Sequence, residues 1–167
     1  MQYTSAEANK LLKKLYEEHQ DLLQKEKDAF VFKAATIENV EDARPEYDYH
    51  AVQAKFAQLE QQIRRLKHAI NTFNLSQEVP GTGMTIDQVL IYIPQLTERK
   101  RKLSVMKQRQ KKQREEKYAA SHFIEYIYAN YDPAQAAADY DAVSKELAKV
   151  QNALDLVNST VPFDIDL

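Results

Sequence analysis

Apolar residues recur along four stretches of the chain at alternating spacings of three and four, the period of an amphipathic helix. The second stretch carries an unbroken heptad seam, formed by Val52, Phe56, Leu59, Ile63, Leu66, Ile70 and Phe73. The fourth carries another, formed by Ala136, Tyr140, Val143, Leu147, Val150, Leu154 and Val157. Shorter stripes mark the first and third, with Ala8, Leu11, Leu15 and Leu22, and then Ile86, Val89, Ile93, Leu96, Leu103 and Met106. The pattern predicts four long helices.

Each predicted helix starts next to a polar residue that can cap it. Thr4 and Thr85 are each followed three residues later by Glu or Gln, the signature of a capping box. Asp48 and Asp132 are favourable N-caps for the second and fourth helices, and a proline follows Asp132 at the first helical position, where a missing amide costs nothing.

Three segments between and after the helices are rich in β-branched and aromatic residues and look like short strands. They cover residues 30–32, 122–131 and 161–167. An isolated two-stranded ribbon is only marginally stable. We therefore expect residues 30–33 and 123–129 to pair antiparallel with each other, covered by helices or by another copy of the chain.

These elements predict a mainly α protein of two long antiparallel helical hairpins, as a four-helix bundle or coiled coil, in a single domain over 1–167. Residues 47–74 and 131–158 match at an offset of 84, with every seam position apolar in both. This match suggests an internal duplication with halves 1–74 and 82–158.

The amino-acid composition excludes several classes of function for this protein. The chain has no cysteine, so disulfides, thiolate metal sites and cysteine nucleophiles are excluded. No stretch approaches the roughly 18 apolar residues of a membrane-spanning helix, and we expect a cytoplasmic protein. Glycine-rich phosphate loops and nucleophile elbows are also missing. Enzyme activity and a cofactor are therefore not predicted.

A basic run at residues 98–117 holds ten lysines and arginines against three acids. Such a run can bind nucleic-acid phosphates. The candidate contacts are Arg99, Arg101, Lys107, Arg109, Lys111, Lys112 and Arg114. However, the run between Glu98 and Glu116 lacks aromatic residues, its bases point all round a helix, and the overall pI is about 6.1. A solvated helix end is therefore preferred, with nucleic-acid binding as the alternative.

Histidines and tyrosines offer a third possibility, a small-molecule or metal site in the connecting segments. Its candidate residues are Tyr49, His50, His122 and Tyr126. His19 and His68 are expected to face solvent. The chain has no Glu-x-x-His motif, which argues against a di-iron bundle.

The order of features in the second half is distinctive. A capped start at 83–90 leads into a basic helix through Arg114, a strand-like segment at 118–131 and the helical sequence 146–158, followed by a short acidic tail. This order resembles a bacterial family of small coiled-coil proteins, some of them described as septicolysin-like. The resemblance implies a helical, self-associating fold and carries over no functional residues.

The first hypothesis for function is therefore a non-enzymatic, self-associating interaction or scaffold protein. A single hairpin cannot bury all the apolar residues of the heptad seams, and the strand-like segments have edges that could pair with another strand. A second copy of the chain could supply both contacts, so a homo-oligomer is expected. The candidate interface residues are Phe30, Phe32, Phe123, Tyr126, Ile127 and Tyr128.

Overall fold

The computed structural model describes residues 1–115 and 124–167. Within these ranges the chain is mainly helical, with five helices and six short strands. The helices are α1 (Ser5–Ala29), α2 (Val40–Ala43), α3 (Tyr49–Ser76), α4 (Ile86–Lys107) and α5 (Pro133–Thr160). The strands are β1 (Gln2–Thr4), β2 (Glu78–Val79), β3 (Met84–Thr85), β4 (Lys112–Arg114), β5 (Tyr126–Tyr128) and β6 (Pro162–Asp164). None of the described helices is long and apolar enough to cross a bilayer.

Contacts between residues divide the chain into two compact units. Unit 1 comprises Met1–Ser76 together with Leu156–Leu167, and unit 2 comprises Gln77–Asp155. The boundary differs from that of the proposed repeat halves because the C-terminal segment joins the first unit. The cause is strand pairing, since β6 forms an antiparallel ribbon with β1.

Unit 1 is built on the packing of α1 against α3. Its core of buried residues consists of Ala8, Leu15, Leu59, Leu66, Ile70 and Ile165. The tail is fixed to this core at two points. Phe163 stacks on Phe73 with ring centroids 4.3 Å apart, and Ile165 exchanges hydrogen bonds of 2.9 and 3.1 Å with the backbone of Met1. The predicted strand character of the tail is therefore confirmed.

Unit 2 begins with a tight hairpin between β2 and β3. Both glycines of the chain lie in its turn, Gly81 with φ +74° and Gly83 with φ +66°, a conformation that side chains with a Cβ rarely adopt. The apolar residues that are buried in this unit follow the predicted stripes of α4 and α5. They are Ile86, Val89, Leu96, Leu103, Ala136, Val143, Leu147, Val150 and Leu154. Val79 of β2 is buried as well.

The predicted helix starts are confirmed. Thr4 and Thr85 each form a complete capping box at the head of α1 and α4. The backbone amide and hydroxyl of Thr4 both donate to the Glu7 carboxylate, and these hydrogen bonds lower the pKa of that carboxyl. Asp48 and Asp132 each accept from a backbone amide in the first turn of α3 and α5.

Two expectations about the connecting segments are wrong. Residues 30–33 form no strand: the amide of Phe30 still donates to the Glu26 carbonyl and closes the last turn of α1, and residues 31–33 have irregular structure. The strand β5 exists as expected, but its partner is β4, which lies inside the basic run. Phe123 lies outside the described residues.

The basic helix is shorter than predicted, since α4 ends at Lys107 and not at Arg114. The carbonyl of Met106 accepts from the hydroxyl of Tyr131 at 2.8 Å and from the amide of Arg109 at 3.2 Å. These bonds replace the helical ladder at this point. Local helix propensity is high through residue 112, so tertiary contacts decide where the helix stops.

Candidate functional site

The ribbon of β4 and β5 is the first candidate site. Lys112 faces Tyr128, Gln113 faces Ile127 and Arg114 faces Tyr126 across the strands. Opposite residues share a face of a sheet and successive residues alternate. One face therefore carries Lys112, Arg114 and two tyrosines, and the other carries the glutamine and isoleucine.

This ribbon is exposed to solvent on both faces. The exposed fraction is 44% for Tyr126 and 62% for Tyr128 on one face, and 43% for Ile127 on the other. The Nζ atom of Lys112 lies 4.2 Å from the centroid of the Tyr126 ring and 5.5 Å from that of Tyr128. The expected cover by helices is not seen among the described residues, so the ribbon presents cations and aromatic rings together.

The other basic residues proposed to contact phosphates differ in the interactions that their side chains already form. Arg101 forms two hydrogen bonds with Glu98, which lower the pKa of that carboxyl and raise the pKa of the guanidinium. Lys107 lies 3.5 Å above the ring of Tyr140, and Lys111 is 3.8 Å from Asp132. Arg99, Arg109 and Arg114 are exposed. Exposed bases therefore lie at both ends of the run.

A second candidate site lies in unit 1, where α1 ends and α3 begins. We call it the tyrosine pocket; it is an open cavity of about 640 Å³ lined by Leu23, Glu26, Lys27, Phe30, Tyr47 and Tyr49. The Glu26 carboxylate accepts from the Tyr47 hydroxyl at 2.9 Å and from the Gln53 amide at 2.7 Å. Desolvation, followed by the hydrogen bond to Glu26, raises the pKa of Tyr47, so this phenol stays a donor.

Two of the three phenylalanines that were expected at an interface, Phe30 and Phe32, have different surroundings. Phe30 is exposed at the rim of the tyrosine pocket. Phe32 is half-buried, and the guanidinium of Arg44 covers its ring at 5.2 Å from the centroid. Arg44 is in turn held by Glu41 through two hydrogen bonds. Phe30 is thus available for a ligand or partner, whereas Phe32 is already packed.

The histidines separate in the same way. His68 is exposed, as predicted. The prediction for His19 is wrong, because its side chain is only 19% exposed, lies 3.5 Å from Glu60 and packs edge-on against the ring of Phe56. The heptad stripe assigned to α1 excluded His19, but the helix has a second stripe through Leu12, Tyr16 and Leu23 that runs through this position.

The residues proposed for a small-molecule or metal site fall in different parts of the chain. Tyr49 and His50 are exposed neighbours at the start of α3, with their rings 5.5 Å apart. Tyr126 belongs to β5 of unit 2, and His122 lies outside the described residues. Among the described residues, no group of three or more His, Asp or Glu side chains is placed to hold a metal ion.

Sequence reasoning missed the basic-aromatic face of the ribbon and the acceptor role of Glu26. The basic run contains no aromatic residue up to Glu116. The tyrosines that lie opposite its cations belong to β5, more than ten positions later in the chain. The two cations, Lys112 and Arg114, alternate with the neutral Gln113. This spacing of two matches the periodicity of a strand and could have indicated that the segment is not helical.

The comparisons with known proteins define the fold only. No protein-family model matches the chain, and no curated protein matches its sequence. Its structure is similar to the crystal structure of a functionally unknown conserved protein from Corynebacterium diphtheriae, with a TM-score of 0.60 and 18% sequence identity. The match covers 98% of this chain and 100% of that chain.

Proposed function

We propose that this protein is a non-enzymatic interaction protein whose copies associate with one another through β5. The observation that carries the proposal is the exposed, uncharged edge Tyr126-Ile127-Tyr128. No described strand other than β4 pairs with β5, and an edge of this kind is a template for another strand. The opposite edge of the ribbon, β4, carries Lys112 and Arg114, and charges of this kind protect an edge from pairing.

A second copy is the partner that fits this edge best. The three residues of β5 read the same in both directions, so two copies related by a two-fold axis would place each Ile127 opposite the other and each tyrosine opposite a tyrosine. Such an isologous contact closes on itself and gives a dimer. It also turns two marginal two-stranded ribbons into one four-stranded sheet.

Replacement of Ile127 by Asp is expected to abolish this association. Two like charges would then face each other across the new strand pair, and the apolar contact would be lost. Sedimentation velocity at micromolar concentration should show wild-type protein heavier than the 19.4 kDa chain and the variant at the chain mass.

The matched control is Glu125→Asp, a neighbouring change that keeps the charge and is expected to leave the sedimentation unchanged. Circular dichroism of both variants separates loss of assembly from loss of fold. Wild-type protein that sediments as a monomer at every concentration would overturn the proposal.

We also propose that the helices form two antiparallel hairpins within a four-helix bundle, and that the two hairpins arose by duplication. The helices α3 and α5 are both 28 residues long and begin 84 positions apart. Thr4 pairs with Pro162 in β1–β6, and Thr85 pairs with Glu78 in β3–β2, so the capping threonine ends a strand in both halves. The side-chain oxygens of Asn74 and Asn158, 84 positions apart, are both buried without a hydrogen-bond partner among the described residues.

The proposal of kinship with the septicolysin-like coiled-coil proteins rests on the same order of elements. The capped start at Thr85, the helix α5 and the C-terminal strand β6 follow one another in that order along the chain, and this order supports the proposal. Self-association is what that kinship would imply.

Single-stranded nucleic acid is the alternative partner, and the face of the ribbon that carries Lys112, Arg114, Tyr126 and Tyr128 favours it. Proteins that bind single strands combine cations that follow the phosphates with aromatic rings on which bases stack. The absence of aromatic residues from the basic run was one of the three arguments against this function. Strand pairing removes that argument, because it sets two tyrosines opposite the cations.

If this alternative holds, the double substitution Lys112→Gln, Arg114→Gln is expected to weaken binding of a labelled oligothymidylate and to lower its salt dependence. The slope of log K against log salt should fall by about 0.7 for each phosphate contact that is removed. Fluorescence anisotropy at several salt concentrations measures both quantities.

Arg101→Gln is the matched control, since Glu98 already engages that guanidinium. No binding at low salt would rule nucleic acid out. Equal losses in the control and the double variant would mean that the ribbon is not the contact surface.

A further inference from the structure

The tyrosine pocket holds a carboxylate, that of Glu26, which forms no ion pair with any described residue. Glu26 is partly buried, and its two side-chain partners, the Tyr47 hydroxyl and the Gln53 amide, are neutral donors that both contact Oε1. Within residues 1–115 and 124–167, no Lys, Arg or His lies within ion-pair distance of this carboxylate. Partial burial makes an unpaired charge unfavourable, so a cation supplied from outside gains both an ion pair and hydrogen bonds.

The walls of the pocket suit the apolar part of such a cation. Phe30, Tyr47 and Tyr49 contribute three aromatic rings, and Leu23 contributes an aliphatic surface. Aromatic faces attract ammonium groups, and this attraction is strengthened where water is excluded. The cavity of about 640 Å³ lies within the usual range for small-molecule sites.

We propose that the tyrosine pocket binds a small organic monocation, an ammonium group on an apolar or aromatic body. The ammonium donates to the free Oε2 atom of Glu26, while the body lies against Phe30, Tyr47 and Tyr49. Because Tyr47 and Gln53 hold Oε1 in place, the carboxylate is oriented before the ligand arrives.

Lys27 should make the pocket selective for a ligand with a single positive charge. Its side chain also lines the pocket, next to Glu26 along the helix. This ammonium group repels every cation in the pocket, and the repulsion increases with each further positive charge on the ligand, so a monocation with an apolar body is repelled least. The pocket should therefore prefer benzylamine to the polyamine spermidine.

The test is a titration of the full-length, isotopically labelled protein with benzylamine and with benzyl alcohol, its neutral counterpart of nearly the same shape, followed by nuclear magnetic resonance. Benzylamine at pH 7 is expected to produce saturable shifts in the amide signals of residues 23–30 and 47–53. The alcohol should bind about tenfold more weakly, because it lacks the charge-assisted bond to Glu26.

Three variants make the assignment specific. Glu26→Gln keeps the shape of the side chain and its acceptor oxygen, and it should weaken benzylamine about tenfold while leaving the alcohol unchanged. Tyr49→Ala removes an exposed ring without opening the core, and it should weaken both ligands. Glu18→Gln makes the same charge change two turns earlier on α1, outside the pocket, and should alter neither.

Equal affinity for the amine and the alcohol, or unchanged amine binding in the Glu26→Gln protein, would overturn the proposal. Failure of benzylamine to bind at all would overturn it as well. If Glu26→Gln disturbs the fold, the comparison of amine with alcohol on wild-type and Tyr49→Ala protein still decides the matter.

Discussion

Replacing Ile165 with Asp is expected to lower the free energy of unfolding by about 4 kcal/mol or more, which is a large part of the stability of a small protein. The Ile165 side chain is 3% exposed and belongs to the core of unit 1, although it lies only two residues from the end of the chain. An aspartate there must be buried in an apolar core, where it is unfavourable in both its charged and its protonated form, or pull the tail away from that core. Denaturation by urea, followed by circular dichroism, measures the loss.

Leu167→Asp is the control for this prediction, since Leu167 is exposed and the same charge is added two residues further on. Its effect should stay within about 0.5 kcal/mol, as is usual for surface substitutions. Similar losses in both variants would mean that negative charge on the tail, and not burial of Ile165, causes the destabilisation.

The second large effect is expected at Leu66, which is fully buried in the middle of the α3 seam. Leu66→Ala should cost about 3 to 5 kcal/mol, because it removes buried methyl groups and leaves a cavity that a close-packed core closes only in part. The same urea experiment applies, and the midpoint should fall with little change in slope if unfolding stays cooperative.

Leu75→Ala offers a matched control on the same helix, because Leu75 is exposed and the helix propensities of leucine and alanine are close. Its cost should remain well below 1 kcal/mol. Should Leu66→Ala prove equally mild, the seam would not be the core of unit 1.

Local sequence was sufficient to predict the four long helices, but not the short helix α2 or the end of α4. The seams of α3 and α5 predicted which apolar residues are buried, and Thr4, Thr85, Asp48 and Asp132 marked where helices begin. Both signals act over four to seven residues, so neither depends on distant parts of the chain.

Predictions that needed the partner of a segment were less successful. The sequence predicted that β5 and β6 are strands. The predicted partner of β5 was the segment 30–33, whereas its partner in the structure is β4. Strand propensity indicates that a segment will pair with another strand, but it does not indicate which strand is the partner. The same limit applied to His19, whose position beside Phe56 and Glu60 comes from the packing of α1 on α3.

The sequence by itself thus determined the helical class, the helix starts, the buried seams and the strand character of the tail, because these follow from periodicity and capping within single elements. Only the tertiary structure decided that α4 stops at Lys107, that tyrosines of β5 lie opposite the cations of β4, and that Glu26 meets Tyr47 and Gln53. Each of these features joins residues that are more than ten positions apart. Their energy depends on contacts that no local pattern encodes.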